Sequence, residues 1–316
     1  MSLAVFIDGA AGTTGLEIAD RLAGRDEFEL IALDEDRRKD RTARRDALNA
    51  ADIAILCLPD DAARDAVALI DPGGRTRVID ASSAHRVAEG WTYGFPELIG
   101  RQQVAEARRV SNPGCYPTGF LALLVPLLRT GLLPDDWPYT VNAVSGYSGG
   151  GKALIARFEA ERDIAYRAYG LTMGHKHLAE MQLIAGLQYA PVFSPAVVPA
   201  MRGMIVDVPL PRNAIAACAP AIELRACLAE HYRNATLIEC SPDTAASELL
   251  LRTDTEGWDG MEVFVFADAD DAQIRLIARL DNLGKGASGA VVQSLNLMAD
   301  CDEYAGLRTG NPARTT

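Results

Sequence analysis

Short uninterrupted apolar runs dominate the first third of the chain. Leu3-Ala4-Val5-Phe6-Ile7 is too brief for a core helix and reads as a strand buried on both faces of a parallel sheet. A polar glycine turn and an amphipathic stretch to Leu22 follow it. The pattern then repeats, with strands at Phe28 to Leu33, Ile53 to Leu58 (closed by Pro59), Arg77 to Asp80 and Arg109 to Ser111, and a helical run from Asp60 to Leu69. Strands alternating with helices predict a parallel sheet covered on both faces.

The grammar changes after residue 115. A helical run spans Thr118 to Leu128, and from Val141 onward strands are predicted at Val141–Val144, Val192–Val198, Met204–Val208, Leu249–Thr253, Met261–Phe266 and Gln273–Arg279. Helices enter between them near His175 to Leu187 and Pro220 to Arg233, and the connections are long and irregular. The expected fold class is therefore α/β: an N-terminal Rossmann-like dinucleotide-binding domain plus a mixed, largely antiparallel α+β second domain. The glycine-rich turn from Asp281 feeds an amphipathic helix through Met298, consistent with a return to the first domain. The expected boundaries are 1–114 with 284–316 for dinucleotide binding, and 115–283 for catalysis and oligomerisation.

Composition narrows this picture without changing it. The 316 residues are 49% hydrophobic and 23% charged, enough for two buried cores in a globular protein. A net charge of -12 argues against nucleic acid as a partner. No apolar run approaches membrane-spanning length, and Met1-Ser2-Leu3 leads into a strand with no signal peptide, so no membrane and a cytoplasmic location are expected. Six cysteines without C-x-x-C spacing fit reduced thiols. No metal is expected, because His175 and His177 do not share a helical face and no further ligand lies nearby in sequence.

Candidate chemistry sits at the strand ends. Gly9-Ala10-Ala11-Gly12-Thr13-Thr14-Gly15 follows the first strand with spacing G-x-x-G-x-x-G, a variant of the fingerprint that lets backbone approach a pyrophosphate at a helix N-terminus. The second strand ends in Asp34-Glu35-Asp36-Arg37-Arg38-Lys39. Acidic residues there indicate NAD and basic ones NADP; Arg37, Arg38 and Lys39 favour NADP, against the alternative of a solvated helix face running to Arg45. Asp80 to Arg86 closes another strand, where Arg86 is either an anion binder or a surface arginine, and His85 serves loop structure.

Ser111-Asn112-Pro113-Gly114-Cys115-Tyr116-Pro117-Thr118 places a cysteine in a rigid turn at a helix start, where the partial positive charge favours thiolate. The alternative is a buried cysteine beside an ordinary helix. Gly146 to Lys152 matches a phosphate loop up to its last position, where Ala153 replaces the magnesium-holding Ser or Thr. An ATPase is disfavoured, leaving a glycine loop with a cation. His177 and Glu180 at i and i+3 suit a general acid-base group with its orienting carboxylate. Asn282 is positioned to meet a nicotinamide amide.

Together these segments, with His175-Lys176-His177 and Asp281 to Gly289, resemble N-acetyl-gamma-glutamyl-phosphate reductase in its short-chain form, over almost the full length. The resemblance implies a fold similar to aspartate-semialdehyde and glyceraldehyde-3-phosphate dehydrogenases, NADP as cofactor, an acyl phosphate substrate and a homodimer or homotetramer. It implies catalysis by Cys115, His177 and Asn112, the last as oxyanion donor. Gly9, Gly12, Thr13, Thr14, Gly15, Arg37, Arg38 and Asn282 are expected at the cofactor. Ser82, Arg86, Gly149, Gly150, Lys152 and His175 are expected at the substrate. Reductases of aspartyl or aminoadipyl phosphate would use the same constellation, and a catalytically silent nucleotide-binding protein is the non-enzymatic alternative.

Overall fold

The alternation of the first apolar runs has a direct structural reading. A computed structural model describes residues 2–312 and divides the chain into two compact units, Met1–Pro113 with Ala287–Leu307, and Gly114–Gly286 with Arg308–Thr316.

The first unit carries strands β1 (Leu3–Asp8), β2 (Phe28–Ile31), β3 (Ile53–Leu56), β4 (Arg77–Asp80), β5 (Thr92–Tyr93) and β6 (Arg109–Ser111). They form one sheet in the order β2-β1-β3-β4-β6-β5, parallel at every pairing. Helices α1 (Thr13–Leu22), α2 (Arg41–Ala50), α3 (Asp60–Leu69), α4 (Pro96–Ile99) and α5 (Arg101–Glu106) complete its N-terminal portion. Because strand side chains alternate, Val5, Ile7, Ile53, Ile55 and Ile79 enter one core with Ile18 and Leu22 of α1. Phe6, Ala54, Leu56 and Val78 enter the opposite core with Leu48, Ala63 and Ala66. Each fully buried aliphatic side chain contributes about 1.5–3 kcal/mol, so both faces need covering and the runs read as continuous.

The second unit holds β7 (Thr140–Gly146), β8 (Arg167–Ala168), β9 (Val192–Val198), β10 (Met204–Pro211), β11 (Ile238–Cys240), β12 (Met261–Ala267) and β13 (Gln273–Leu280). Their order is β11-β12-β13-β10-β7-β9-β8; β7/β9 and β11/β12 are parallel and the remaining pairings antiparallel. Its helices are α6 (Cys115–Arg129), α7 (Gly151–Ala160), α8 (Leu178–Ala185) and α9 (Ala221–His231). Helix α6 is buried from Tyr116 to Leu127, as expected of a helix apolar on all sides. Its close approach to the sheet depends on Gly119, where a Cβ would lie 2.8 Å from Val206 Cγ2. Helix α10 (Gly289–Met298), preceded by a π-turn over Gly284–Ser288, returns the chain to the first unit, where Val291, Val292 and Leu295 pack into the core that holds α1.

The Rossmann-like and mixed, largely antiparallel architecture is the one expected. Two local expectations fail. Residues 249–253 form no strand; β12 takes the short β11 as its neighbour instead, and Leu250 and Leu251 line a cavity of about 650 Å³ with Trp258 and Asp281. The helix expected from Thr118 begins at Cys115, because Gly114, with extended φ -72° and ψ 149°, is its N-cap.

Candidate active site

In the first unit the glycine turn forms the cradle its spacing predicts. Gly12 N–H donates to Gly9 O at 2.9 Å, and Gly9 has φ +92°, a conformation that favours glycine. A Cβ on Gly9 would collide with Cys57 O, and one on Gly15 would sit 2.6 Å from Gly9 O. Thr13 and Thr14 open α1 with Gly12 as N-cap, and Leu16 makes the first intrahelical bond to Gly12 O. The first N–H groups of α1 thus have no intrahelical acceptor, the arrangement that suits a pyrophosphate. A cavity of about 930 Å³ opens here, and among its lining residues are Gly9, Gly12, Glu35, Arg38, Lys39 and Arg44. The observed cradle and cavity fit a dinucleotide.

The cations around that cavity differ from expectation. Arg38 and Lys39 line it and Arg37 does not; the residues 34–39 curl into a turn, with Arg37 N–H and Arg38 N–H both on Asp34 O. Arg38 pairs with Glu35, and Arg44 grips Asp8 with Nε at 3.1 Å and Nη2 at 2.8 Å. Three cations against the carboxylates of Asp8 and Glu35 leave the lining formally +1. Arg44 was missed because only the fold shows which positions of α2 face β1.

Three residues expected at ligands brace the turns on which they stand. Asn112 is buried, its N–H donates to Asp80 O, and its carboxamide nitrogen donates to Pro113 O at 3.2 Å and Ala287 O at 3.3 Å. With both side-chain donors so placed, Asn112 anchors the turn before Cys115. Ser82 Oγ donates to Asp80 Oδ2 and accepts from Ala84 N–H, which closes its own loop. Asn282, in the second unit, donates to Ser148 Oγ at 2.9 Å and accepts from Gly203 N–H at 2.9 Å, which ties two turns together. Arg86 is buried and donates Nε–H to Asn112 O at 3.0 Å, so part of its fork steadies the same turn. His85 serves its loop, bonded to Asp80 at 2.6 Å and stacked on Trp91.

In the second unit Cys115 is the first residue of α6. Gly114 N–H donates to Glu180 Oε1 at 2.7 Å, and Gly114 O accepts from both N–H and Oγ1–H of Thr118. Gly286 lies against the cysteine: a Cβ there would be 3.0 Å from Cys115 Cβ. His177 is the N-cap of α8 and is buried; its backbone N–H donates to His175 Nδ1 at 3.2 Å. The two imidazoles lie 4.7 Å apart, and Tyr116 packs against both, with centroid distances of 6.3 Å to His175 and 5.9 Å to His177. Tyr169 and Phe193 complete the aromatic walls around His175. Burial pushes the Tyr169 phenol up to about 12 and the Tyr116 phenol up as well, so both stay protonated donors at neutral pH. The unit therefore gathers Cys115, His175, His177 and Glu180 at the starts of α6 and α8.

Gly149 and Gly150 end a single 3-10 turn and Lys152 lies in the first turn of α7; all three are exposed. None of the six cysteines is disulfide-bonded. Among the described residues no group of three or more His, Cys, Asp or Glu could hold a metal ion, and no helix is long and apolar enough to cross a membrane.

A parallel dinucleotide-type sheet followed by a mixed sheet that opens on a cysteine at a helix N-terminus defines a two-unit dehydrogenase class of oxidoreductase. Residues 35–107 match the semialdehyde dehydrogenase NAD binding domain and residues 115–282 the semialdehyde dehydrogenase dimerisation domain. An N-acetyl-gamma-glutamyl-phosphate reductase of Brucella ovis is 51% identical over 304 residues, covering 93% of this chain and 98% of that protein. One from Sinorhizobium fredii is 48% identical over 301 residues, with the same coverage of each chain. A probable aspartate-semialdehyde dehydrogenase structure from Pseudomonas aeruginosa shares the fold at TM-score 0.70 and 20% identity, covering 94% of this chain and 98% of that one. The chain belongs to the semialdehyde dehydrogenase family, among its N-acetyl-gamma-glutamyl-phosphate reductases.

Proposed function

We propose that the chain reduces N-acetyl-L-glutamyl 5-phosphate to N-acetyl-L-glutamate 5-semialdehyde with NADPH, a step of arginine biosynthesis, through a thioester on Cys115. The observation that carries this reading is the second unit's cluster: a cysteine at the first position of α6, with two histidines packed on the ring of the next residue, Tyr116. A thioester is easier to reduce than a carboxylate, so one difficult step becomes two easier ones.

The Cys115 sulfur attacks the acyl carbon; the C–S bond forms and the bond to the phosphate oxygen breaks. His177 accepts the thiol proton and passes it to the departing phosphate. Bound NADPH supplies the hydride that reduces the thioester. As the C–S bond then breaks and the aldehyde forms, a solvent proton delivered through His177 restores the thiol. Asn112 and the backbone N–H of Cys115, at the start of α6, are the donors for the transient oxyanion. Arg86, Lys152 and the backbone of Gly149 and Gly150 supply cations and donors for the substrate phosphate and carboxylate, with His175 beside His177 at the substrate.

The cofactor assignment to NADPH is supported by the +1 lining with Arg38, Lys39 and Arg44. Residues 1–114 with 284–316 bind the dinucleotide, and 115–283 carry catalysis and the contacts of a cytoplasmic homodimer or homotetramer.

NADPH oxidation with N-acetylglutamyl phosphate, beside aspartyl and aminoadipyl phosphates, tests the reading. Turnover should be confined to the first substrate, abolished by Cys115→Ser with NADPH binding intact, and lowered on the order of 10² to 10⁴-fold by His177→Ala. Undiminished turnover of Cys115→Ser ends the thioester route. A harmless His177→Ala beside a crippling His175→Ala would move the acid-base role to His175.

A further inference from the structure

We propose that Glu180 is a positioning residue for Cys115, acting through the backbone N–H of Gly114. This rests on Cys115 as the nucleophile. The residue before Cys115 is a glycine, which lacks the Cβ that confines other residues to a few backbone wells. Any rotation at Gly114 swings the first residue of α6, and with it the sulfur. Yet Gly114 is held on both sides: its N–H by Glu180 Oε1 at 2.7 Å, its carbonyl by the N–H and hydroxyl of Thr118, each at 2.9 Å. Thr118 belongs to α6 itself, so it can only fix Gly114 relative to its own helix. Glu180 belongs to the first turn of α8, next to the His177 cap, so its bond fixes the start of α6 relative to the histidines.

The carboxylate is 1% exposed, which makes its bond to an N–H short, charge-assisted and shielded from competing water.

Two variants isolate the bond. Glu180→Met fills a similar volume but offers no strong acceptor; Glu180→Gln keeps an oxygen that accepts the same N–H. Misplacement of a nucleophile is read in kcat, so Glu180→Met should lower kcat on the order of tenfold or more. KM and NADPH binding should stay within about twofold, and Cys115 alkylation by iodoacetamide, followed by peptide mass, should slow in parallel. Glu180→Gln should restore kcat and alkylation to within about threefold. Wild-type kcat in Glu180→Met overturns the proposal. So does a Gln variant as impaired as Met, because charge, and not the bond to Gly114, would then be responsible. Should wild-type turnover survive complete alkylation of Cys115, the nucleophile assignment fails instead, and the two failures are thereby told apart.

Discussion

Helix α6 carries Pro126 in its interior, and the neighbourhood of that proline yields a quantitative prediction. Proline has no N–H, so the carbonyl of Ala122, four residues earlier, loses its helical donor. The Tyr232 hydroxyl donates to that carbonyl at 2.8 Å, with both residues buried. An ordinary protein hydrogen bond contributes about 0.5–1.5 kcal/mol, but leaving a buried acceptor with no donor costs about 1–3 kcal/mol. Tyr232→Phe keeps the ring and creates little void, so the cost isolates the hydroxyl. A loss of about 2 kcal/mol lowers the melting temperature of a unit of this size by roughly 4–8 °C. Pro126→Ala returns an N–H to the helix and supplies Ala122 O by another route. In that background Tyr232→Phe should cost well under half as much, a coupling of about 1 kcal/mol or more between the two positions. Calorimetry of the four proteins at one protein concentration, with urea unfolding in parallel, measures the cycle. Equal costs in both backgrounds would refute the claim that Tyr232 substitutes for the donor proline lacks.

Further expectations concern the first unit. Burial, reinforced by the Asp80 and Asp8 carboxylates, pushes the Cys57 thiol up to about 12 from an ordinary value near 9. The unfolded chain therefore releases that proton first, so this contribution is complete below pH 9 and is lost as pH rises from 9 towards 12; Cys57→Ala should remove that part of the alkaline limb in pH-dependent urea unfolding. Gly15→Ala would place a Cβ 2.6 Å from Gly9 O and 2.7 Å from Ala10 Cα, and should weaken NADPH binding by fluorescence titration about tenfold or more while the circular dichroism spectrum is unchanged. Arg38→Ala should weaken NADPH by roughly tenfold and NADH far less, the scale of one hydrogen bond to a charged group; equal weakening of both would assign Arg38 to the pyrophosphate or to structure.

What the sequence shows of this protein and what it hides divide along one physical line. Runs such as Ile53 to Leu56 and turns such as Gly9 to Gly15 carry their own constraint, because a strand buried on both faces must be apolar throughout and a collision at Gly15 forbids any Cβ. Those features and the helix-start address of Cys115 were therefore legible from spacing alone. The bracing bonds of Asn112, Ser82 and Asn282 were not. Each stands at a strand end or tight turn beside candidate ligand-binding groups, and in a sequence nothing distinguishes a polar side chain that meets a ligand from one that satisfies a stranded backbone group. In the structure each meets the second need: Asn112 serves the carbonyls of Pro113 and Ala287, Ser82 the N–H of Ala84, Asn282 the N–H of Gly203. Sharp turns at strand ends leave N–H and C=O groups that secondary structure cannot pair, and burying them unpaired costs more than a surface side chain gains. A site built on such turns must hold itself together with part of its own polar inventory. The side chains remaining for substrate are then those that no turn claims, and the same reasoning explains why Glu180, read from its spacing as a partner for His177, is found holding the N–H of Gly114 beside the nucleophile.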